Sequence, residues 1–205
     1  MANPSSPDFH FETAASHSGA RRIVGVDEVG RGPLAGPVTA AAVWLNPAAI
    51  PSGLNDSKLL SKSQRFALSA VLFEVADVSI AHATVDEIDT LNILRASHLA
   101  MIRAIRGLRT APDFALIDGN LLPNGLPCPA QAIIKGDMRS LSIAAASIVA
   151  KVARDAIMVD LAQQHPGYGW ETNAGYPTSA HREALKNLGI TPYHRRSFKP
   201  VYQML

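Results

Sequence analysis

Four acidic residues close three apolar segments of this chain, in positions suited to binding divalent cations. They are Asp27, Glu28, Asp118 and Asp137. The carboxyl ends of parallel strands meet at one rim of an α/β sheet, so these side chains are expected to converge there. Four carboxylates in one place repel each other unless cations lie between them. Oxygen ligands of this kind favour Mg²⁺ or Mn²⁺, and two such ions about 4 Å apart are a common arrangement for phosphodiester hydrolysis.

Convergence of all four acids sets a condition on the first strand. Successive residues of a regular strand face opposite sides of the sheet, so Asp27 and Glu28 reach one centre only if the strand ends or bulges there. Gly30 follows closely and makes such a break plausible. A single aspartate after a strand is more often a turn or cap residue, and Asp137 has the position of a cap for the next helix.

Three loops carry groups suited to a sugar-phosphate. Gly30, Arg31 and Gly32 form a basic loop beside the acidic pair, and their backbone is able to approach a ligand closely. A strand follows this loop, which excludes a dinucleotide-binding turn. Lys58 offers a cation to phosphate, and Tyr176, between Gly and Pro, offers a ring that stacks on a base or sugar. Ordinary turn and packing roles are the simpler alternatives for Lys58 and Tyr176.

The net charge of +2 is a cancellation between two parts of the chain. Residues 181–205 contain five basic residues and one acidic residue, hence +4, which leaves −2 for residues 1–180. Arg195 and Arg196 lie in this basic tail. A basic terminus beside an acidic centre favours a phosphate backbone held over cations, although a merely solvated tail has the same composition.

Length and composition set the class of protein. The chain has 205 residues, 47% of them hydrophobic, which suits one domain with a sizeable core. A single cysteine, Cys128, excludes an internal disulfide framework and a cysteine-rich zinc module. No apolar run reaches the roughly 18 residues that span a bilayer, and the first residues lack the pattern of an export signal. We therefore expect a cytoplasmic protein without a membrane partner.

The predicted strands and helices form a mixed α/β sheet, and this sheet would position the acidic residues and the loops. Early strands with short links predict an antiparallel portion, and later strands separated by helices predict a parallel portion. Helices are predicted over residues 61–76, 86–108, 140–164 and 178–188. Residues 1–20 are polar and lack Lys and Arg, which predicts a flexible N-terminal extension before a single domain at 21–205.

The order of the motifs resembles the bacterial ribonuclease HII family. The motifs are GVDEVGRGPLAGP at 25–37, LNDSK at 54–58, IDG at 117–119, KGD at 135–137, AAASIVAKV at 144–152, GYPT at 175–178 and HRRSF at 194–198. Together they extend the likeness over about residues 22–201, and their number and order make it specific.

This resemblance implies a fold and an activity. The fold is a ribonuclease H-like mixed sheet with helices on both sides over residues 21–205, in which residues 165–205 form a substrate-binding helix and basic tail. The activity is hydrolysis of the RNA strand of RNA–DNA hybrids, and cutting 5′ to single ribonucleotides in duplex DNA, by a monomer that uses Mn²⁺ or Mg²⁺. The products are a 5′-phosphate and a 3′-hydroxyl.

The resemblance also assigns roles to matching residues. The catalytic and metal-binding set is Asp27, Glu28, Asp118 and Asp137. The residues assigned to reading the 2′-hydroxyl and the RNA–DNA junction are Gly30, Arg31, Gly32 and Tyr176. The residues assigned to phosphate contacts are Lys58, Arg195 and Arg196.

The sequence departs from the family in one loop and leaves two other functions open. The family commonly has His–Lys before Gly–Tyr–Pro, where this chain has Asn173–Ala174, so a loop cation is missing. A nuclease of the same fold that needs no ribonucleotide would cut an all-DNA duplex. A non-catalytic nucleic-acid-binding module, whose acids are helix caps, would neither need divalent cations nor respond to a chelator.

Overall fold

The computed structural model describes residues 6–205 as a five-stranded sheet with helices packed on both faces. The strands are β1 (Ile23–Val29), β2 (Val38–Trp44), β3 (Asp77–Ala83), β4 (Phe114–Asp118) and β5 (Ala130–Ile133). The helices are α1 (His10–His17), α2 (Lys62–Val75), α3 (Val85–Leu91), α4 (Ile93–Arg106), α5 (Leu141–Gln164), α6 (Trp170–Asn173), α7 (Ser179–Leu188) and α8 (Lys199–Tyr202). A 3₁₀ turn at Gly136–Met138 precedes α5.

The sheet is mixed, as the sequence predicts. Its strand order is β3-β2-β1-β4-β5. The pairs β1–β2 and β2–β3 are antiparallel, whereas β1–β4 and β4–β5 are parallel. Val26 lies opposite Ile117 in the β1–β4 ladder, so Asp27 and Asp118 follow at the same end of neighbouring strands. The parallel half of the sheet therefore brings its acidic strand ends to one rim.

Alternation along the strands divides the core into two layers. Val24 and Val26 pack with α4 on one face of the sheet. Ala41 and Val43 pack with α2 and α5 on the other face. Gly25 lies under the first turn of α5, where a Cβ atom would be 2.1 Å from the backbone of Ser142. This glycine is therefore needed for α5 to lie directly on β1.

Side-chain caps set where the helices begin. Ser61 and Gln64 form a reciprocal capping box at the start of α2. Ser140 caps α5 by accepting a hydrogen bond from the Ile143 amide, so Asp137 is not the cap of that helix. Among residues 6–205 no helix combines the length and apolar character needed to cross a membrane.

The predicted single helix over 86–108 is wrong, because the structure breaks it at Asn92. Asn92 adopts a left-handed backbone conformation, with φ of 72°, and separates α3 from α4. Its side-chain oxygen accepts a hydrogen bond from the Arg95 amide and so caps α4. Asparagine tolerates this conformation better than most residues, and the apolar stripe alone does not reveal the break.

Residues 6–20, which the sequence predicts as part of a flexible extension, include a helix that packs on the domain. Helix α1 packs on the domain, and its Glu12 is 1% exposed. The Glu12 Oε1 atom accepts hydrogen bonds from the Ser140 hydroxyl and from both the amide and hydroxyl of Ser142. A carboxylate at the amino end of α5 is favoured by the unpaired amides there. The part of this prediction that falls on residues 1–5 lies outside the described residues.

Candidate catalytic centre

Three of the four predicted acids meet at the rim of the sheet. One carboxylate oxygen from each of Asp27, Asp118 and Asp137 lies within 4.8 Å of the others. Asp27 and Asp137 are buried, and Asp118 is partly buried. The amide of Gly136 donates to Asp118 Oδ1 at 2.7 Å and so ties the turn that carries Asp137 to the end of β4.

Glu28 lies beside this cluster but does not belong to it. The ladder between β1 and β2 continues regularly through Glu28 and Val29, so the predicted break of the strand is wrong. Because side chains alternate, Asp27 lies on the α5 face of the sheet with Gly25, and Glu28 lies on the α4 face with Val26. The structure therefore brings together three carboxylates, with the fourth at their edge.

The environment of Glu28 leaves one of its oxygens without a partner. Glu28 Oε1 accepts a hydrogen bond from Arg31 at 3.2 Å. Glu28 Oε2 is buried and accepts no hydrogen bond from the described residues. A buried carboxylate oxygen without a donor costs free energy, and a cation at the rim would remove that cost.

Burial and mutual repulsion make the cluster reluctant to ionise. Burial, followed by the charges of Glu28, Asp118 and Asp137, raises the pKa of Asp27 well above its ordinary value. Burial and the charge of Asp118 likewise raise the pKa of Asp137. Burial also raises the pKa of Glu28, although Arg31 opposes this effect. Raised pKa values in a group of close carboxylates are typical of a functional site rather than of surface acids.

One lysine partly compensates this negative charge. Lys58 Nζ lies 3.3 Å from Asp137 Oδ2 and 3.6 Å from Asp56 Oδ1. Burial lowers the pKa of Lys58, but the charges of Asp137 and Asp56 outweigh it, so that the pKa is raised overall. The Lys58 side chain is 78% exposed, so it is also accessible to a ligand above the cluster.

The basic glycine loop and Tyr176 face each other next to the acids. Arg31, Gly32 and Tyr176 are all exposed. A Cβ atom at Gly32 would lie 3.4 Å from Cε1 of the Tyr176 ring, so a side chain at this position would be in van der Waals contact with the ring. The hydrogen bonds among the described residues do not use the Gly32 amide. The structure thus places two of the predicted sugar-reading elements next to each other.

Asn173 shapes the turn that carries Tyr176. Its side-chain oxygen accepts from the Gly175 amide at 2.8 Å, and its amide group donates to the Tyr168 carbonyl at 2.8 Å. Ala174 has φ of 49°, a left-handed conformation that a non-glycine residue rarely adopts. At the position of the loop cation that the resemblance led us to expect, this chain therefore has a residue that orders the loop but adds no charge.

The two adjacent arginines of the basic tail have different surroundings. Arg195 is 0% exposed and donates to backbone carbonyls of the glycine loop. The predicted phosphate contact of Arg195 is therefore wrong, because its guanidinium points into the protein. Arg196 is exposed, and its amide donates to Asp89 Oδ2 at 2.9 Å.

Arg154 was not singled out by its sequence, yet it lies directly behind the site. It is 0% exposed and also donates to carbonyls around the glycine loop. A signal was present: Arg154 has helical spacing to the buried residues Met158 and Leu161. An arginine on an apolar helix stripe indicates a buried hydrogen-bond donor rather than a solvated charge.

Comparison with known proteins finds relatives that match nearly the whole chain. The family model for ribonuclease HII matches residues 24–201. Ribonuclease HII of Ruegeria pomeroyi is 68% identical over 199 residues, which cover 97% of this chain and 85% of that protein. The protein of the same description from Paracoccus denitrificans is 65% identical and matches 97% of this chain and 95% of its own length. The crystal structure of ribonuclease H2 from Pyrococcus horikoshii aligns with a TM-score of 0.75 at 28% identity, covering 90% of this chain and 97% of that one.

Proposed function

This chain belongs to the ribonuclease HII family and is a ribonuclease H hydrolase that acts on RNA–DNA hybrids, and we propose that it also cuts duplex DNA 5′ to a single embedded ribonucleotide. One observation carries the proposal: Arg31 bonds Glu28 at the edge of the three-carboxylate cluster, and the adjoining Gly32 lies against the Tyr176 ring. This arrangement places the two predicted sugar-reading elements next to the reactive centre.

Mn²⁺ or Mg²⁺ fits the donor set at the rim. The convergent oxygens of Asp27, Asp118 and Asp137, together with the unpartnered Oε2 of Glu28, offer hard oxygen ligands only. Asp27, Asp118 and Asp137 would hold a cation between them, and Glu28 would add its Oε2 from the edge of the cluster. When bound, two divalent ions would activate a water molecule and stabilise charge on the leaving 3′-oxygen during in-line displacement at phosphorus.

The chain itself keeps the carboxylates oriented before substrate binds. The Glu28 amide donates to Asp27 Oδ1 at 2.7 Å, and the Gly136 amide donates to Asp118 Oδ1 at the same distance. Backbone donors of this kind fix the side-chain rotamers, so little ordering remains for the reaction itself. Hydrolysis at this centre would leave a 5′-phosphate and a 3′-hydroxyl.

Selection of ribose requires a group that responds to the 2′-hydroxyl. The exposed amide of Gly32 is a candidate donor to that hydroxyl, and the Tyr176 ring is a surface on which the sugar or the next base rests. With deoxyribose bound, the donor that serves the 2′-hydroxyl would be desolvated without a hydrogen-bond partner. Because this costs free energy, deoxyribose is disfavoured.

Phosphate contacts come from Lys58 and Arg196. Both side chains are exposed, and Lys58 also contacts the acidic cluster. Each is a flexible cation that adds affinity without sequence preference. The substrate partners that we propose are RNA–DNA hybrids and ribonucleotide-containing duplex DNA, bound by a monomer.

The test compares three duplexes of one sequence: all DNA, DNA with one ribonucleotide, and an RNA–DNA hybrid. Each is incubated with Mn²⁺, with Mg²⁺ or with EDTA. We expect cutting of the second and third duplexes with a divalent ion, none with EDTA, and an intact all-DNA duplex. Equal cutting of the all-DNA duplex would identify a DNA nuclease of the same fold instead. Binding that is indifferent to EDTA, without cutting under any condition, would identify a non-catalytic module.

A further inference from the structure

Two fully buried arginines, Arg154 on α5 and Arg195 near the C-terminus, lie beneath the loops that carry Gly32 and Tyr176. Both are 0% exposed. No salt bridge in the described part of the chain includes either of them. Burial lowers the pKa of Arg154 to about 10 and that of Arg195 to about 9. Burying two like charges without carboxylate partners costs free energy. The hydrogen bonds of the two guanidinium groups must therefore offset that cost.

Within residues 6–205, the hydrogen bonds of these two guanidinium groups all go to backbone carbonyls of two loops. We call residues 30–37 the glycine loop and residues 174–177 the tyrosine loop. Arg195 donates to the glycine loop, at the carbonyls of Gly30, Arg31, Gly36 and Pro37, over 2.6 to 3.1 Å. Arg154 donates to Ala35 at 3.1 Å and Pro37 at 3.0 Å in that loop, and to Ala174 at 2.9 Å in the tyrosine loop. Arg154 therefore bridges the two loops.

Backbone contacts complete this junction. The Leu34 amide donates to the Gly175 carbonyl at 2.8 Å, and the Arg195 amide donates to the Leu34 carbonyl at 2.8 Å. A Cβ atom at Gly30 would lie 2.0 Å from Arg154 Nε, and one at Gly175 would lie 2.7 Å from the Ala35 carbonyl oxygen. Glycine is required at both positions because the loops and the guanidinium groups are in direct contact.

We propose that Arg154 and Arg195 are positioning residues that fix the glycine loop relative to Tyr176, and thereby set which sugar is accepted and which phosphodiester is cut. This inference rests on the proposed function. The carbonyl of Arg31 is bonded directly by Arg195 and adjoins Gly32, and the carbonyl of Ala174 is two residues from Tyr176. Neither arginine contacts the carboxylate cluster, so the effect is separable from cation binding.

Lysine is an informative replacement at both positions. It keeps the positive charge, but its single ammonium group does not reproduce the planar fork that reaches carbonyls of two loops. The variants are Arg154→Lys and Arg195→Lys. The matched control is Arg106→Lys, on the exposed surface of α4.

The experiment uses a DNA duplex with a tract of four ribonucleotides, cut by the full chain in Mn²⁺. We measure the rate, the half-saturating Mn²⁺ concentration and the distribution of cuts within the tract. For both variants we expect kcat to fall roughly 10- to 100-fold, as misplacement of a reacting group by about 1 Å does. We also expect cuts to spread to neighbouring phosphodiesters, while half-saturating Mn²⁺ stays within about threefold of the Arg106→Lys value.

The cut distribution is a ratio within one reaction, so a variant that folds only in part still reports it. Variants that match Arg106→Lys in rate and cut distribution would overturn the inference. A loss of rate that is accompanied by an equal loss of Mn²⁺ affinity would also overturn it, because the arginines would then act through the carboxylates. The unmodified chain is tested in parallel on a single-ribonucleotide duplex: if it cuts the tract but not that duplex, the proposed function fails, while the tract still decides this inference.

Discussion

The Nε2 atoms of His181 and His194 lie 3.2 Å apart in the interior of the C-terminal segment. Their other ring nitrogens fix both tautomers. His181 Nδ1 contacts the Tyr176 carbonyl, which only accepts, so this nitrogen carries a proton. His194 Nδ1 accepts from the Thr191 amide, so its proton is on Nε2, which faces His181 Nε2; that nitrogen also accepts from Trp170 Nε1 at 3.0 Å. The neutral pair thus connects Thr191 to the backbone of Tyr176.

Protonation of this pair breaks the connection, so we predict acid sensitivity of the fold. Burial, followed by the charges of His181 and His165, lowers the pKa of His194 to about 4, and burial lowers the pKa of His181. An unfolded histidine takes up its proton near pH 6.5. Folding stability is therefore complete above about pH 6.5 and falls as the pH drops towards 4, by up to about 1.4 kcal/mol per pH unit for His194.

Unfolding in denaturant between pH 7.5 and pH 4.5 measures this dependence. His194→Gln is expected to be less stable at pH 7.5 but to have a shallower slope, and His17→Gln, on α1, serves as the control. The raised pKa values of the acidic cluster make stability rise as the pH falls, which opposes the effect of the histidines. This contribution is the same in the unmodified chain, His194→Gln and His17→Gln. An unchanged slope in His194→Gln would contradict the assignment.

The acidic cluster lowers stability when no cation is bound. Burial and the charge of Glu28 raise the pKa of Asp27, so ionisation at neutral pH is unfavourable in the folded chain. Asp27→Asn is expected to raise the melting temperature of the EDTA-treated protein by roughly 2–4 °C, which is about 1 kcal/mol at this size. Thermal unfolding with and without Mn²⁺ tests this. Asp160→Asn, on the exposed surface of α5, is the control, and a lower melting temperature for Asp27→Asn would contradict the prediction.

Glu12 is predicted to stabilise the fold from outside the matched family region. Glu12→Ala leaves the hydroxyls of Ser140 and Ser142 without their acceptor in a buried place. We expect a loss of about 1–3 kcal/mol in the free energy of unfolding, measured in urea. Glu74→Ala, exposed on α2, is expected to change it little. Equal effects of the two substitutions would show that the contacts of α1 do not stabilise the domain.

Tyr176 is predicted to act at the substrate rather than in the core. Its side chain is 42% exposed, and stacking of one base or sugar on an aromatic ring is worth about 1–3 kcal/mol. Tyr176→Ala should reduce kcat/KM on a single-ribonucleotide duplex by roughly 10- to 100-fold, whereas Tyr176→Phe keeps the ring and most of the activity. If Tyr176→Ala retained full activity, the ring would have a structural role only.

The sequence correctly predicts that acidic residues meet at one rim of the sheet, because the strands that they end are recognisable from short local patterns. Asp27 and Asp118 each end a short apolar strand, and parallel pairing brings such ends together. The side of the sheet that Glu28 faces depends on whether the strand breaks, and glycine content alone does not decide that. The buried bonds of Glu12 and Arg154 join residues 128 and 119 positions apart. A local pattern of residues does not reveal such long-range contacts.

Asp118 offers the most direct test of the catalytic centre. Its carboxylate joins those of Asp27 and Asp137 from the end of β4. Loss of a residue that only hydrogen-bonds to a metal ligand already costs roughly 10- to 100-fold in affinity or activity. Replacing a ligand should cost more. Asp118→Asn preserves the shape of the side chain but removes its charge.

The measurement is single-turnover cleavage of a single-ribonucleotide duplex in Mn²⁺ by Asp118→Asn, with substrate binding measured in parallel. We predict that cleavage falls by more than about 100-fold, while substrate binding stays close to that of the unmodified chain and Asp160→Asn cuts normally. Cleavage by Asp118→Asn at the rate of the unmodified chain would contradict the assignment of the rim carboxylates as the catalytic centre.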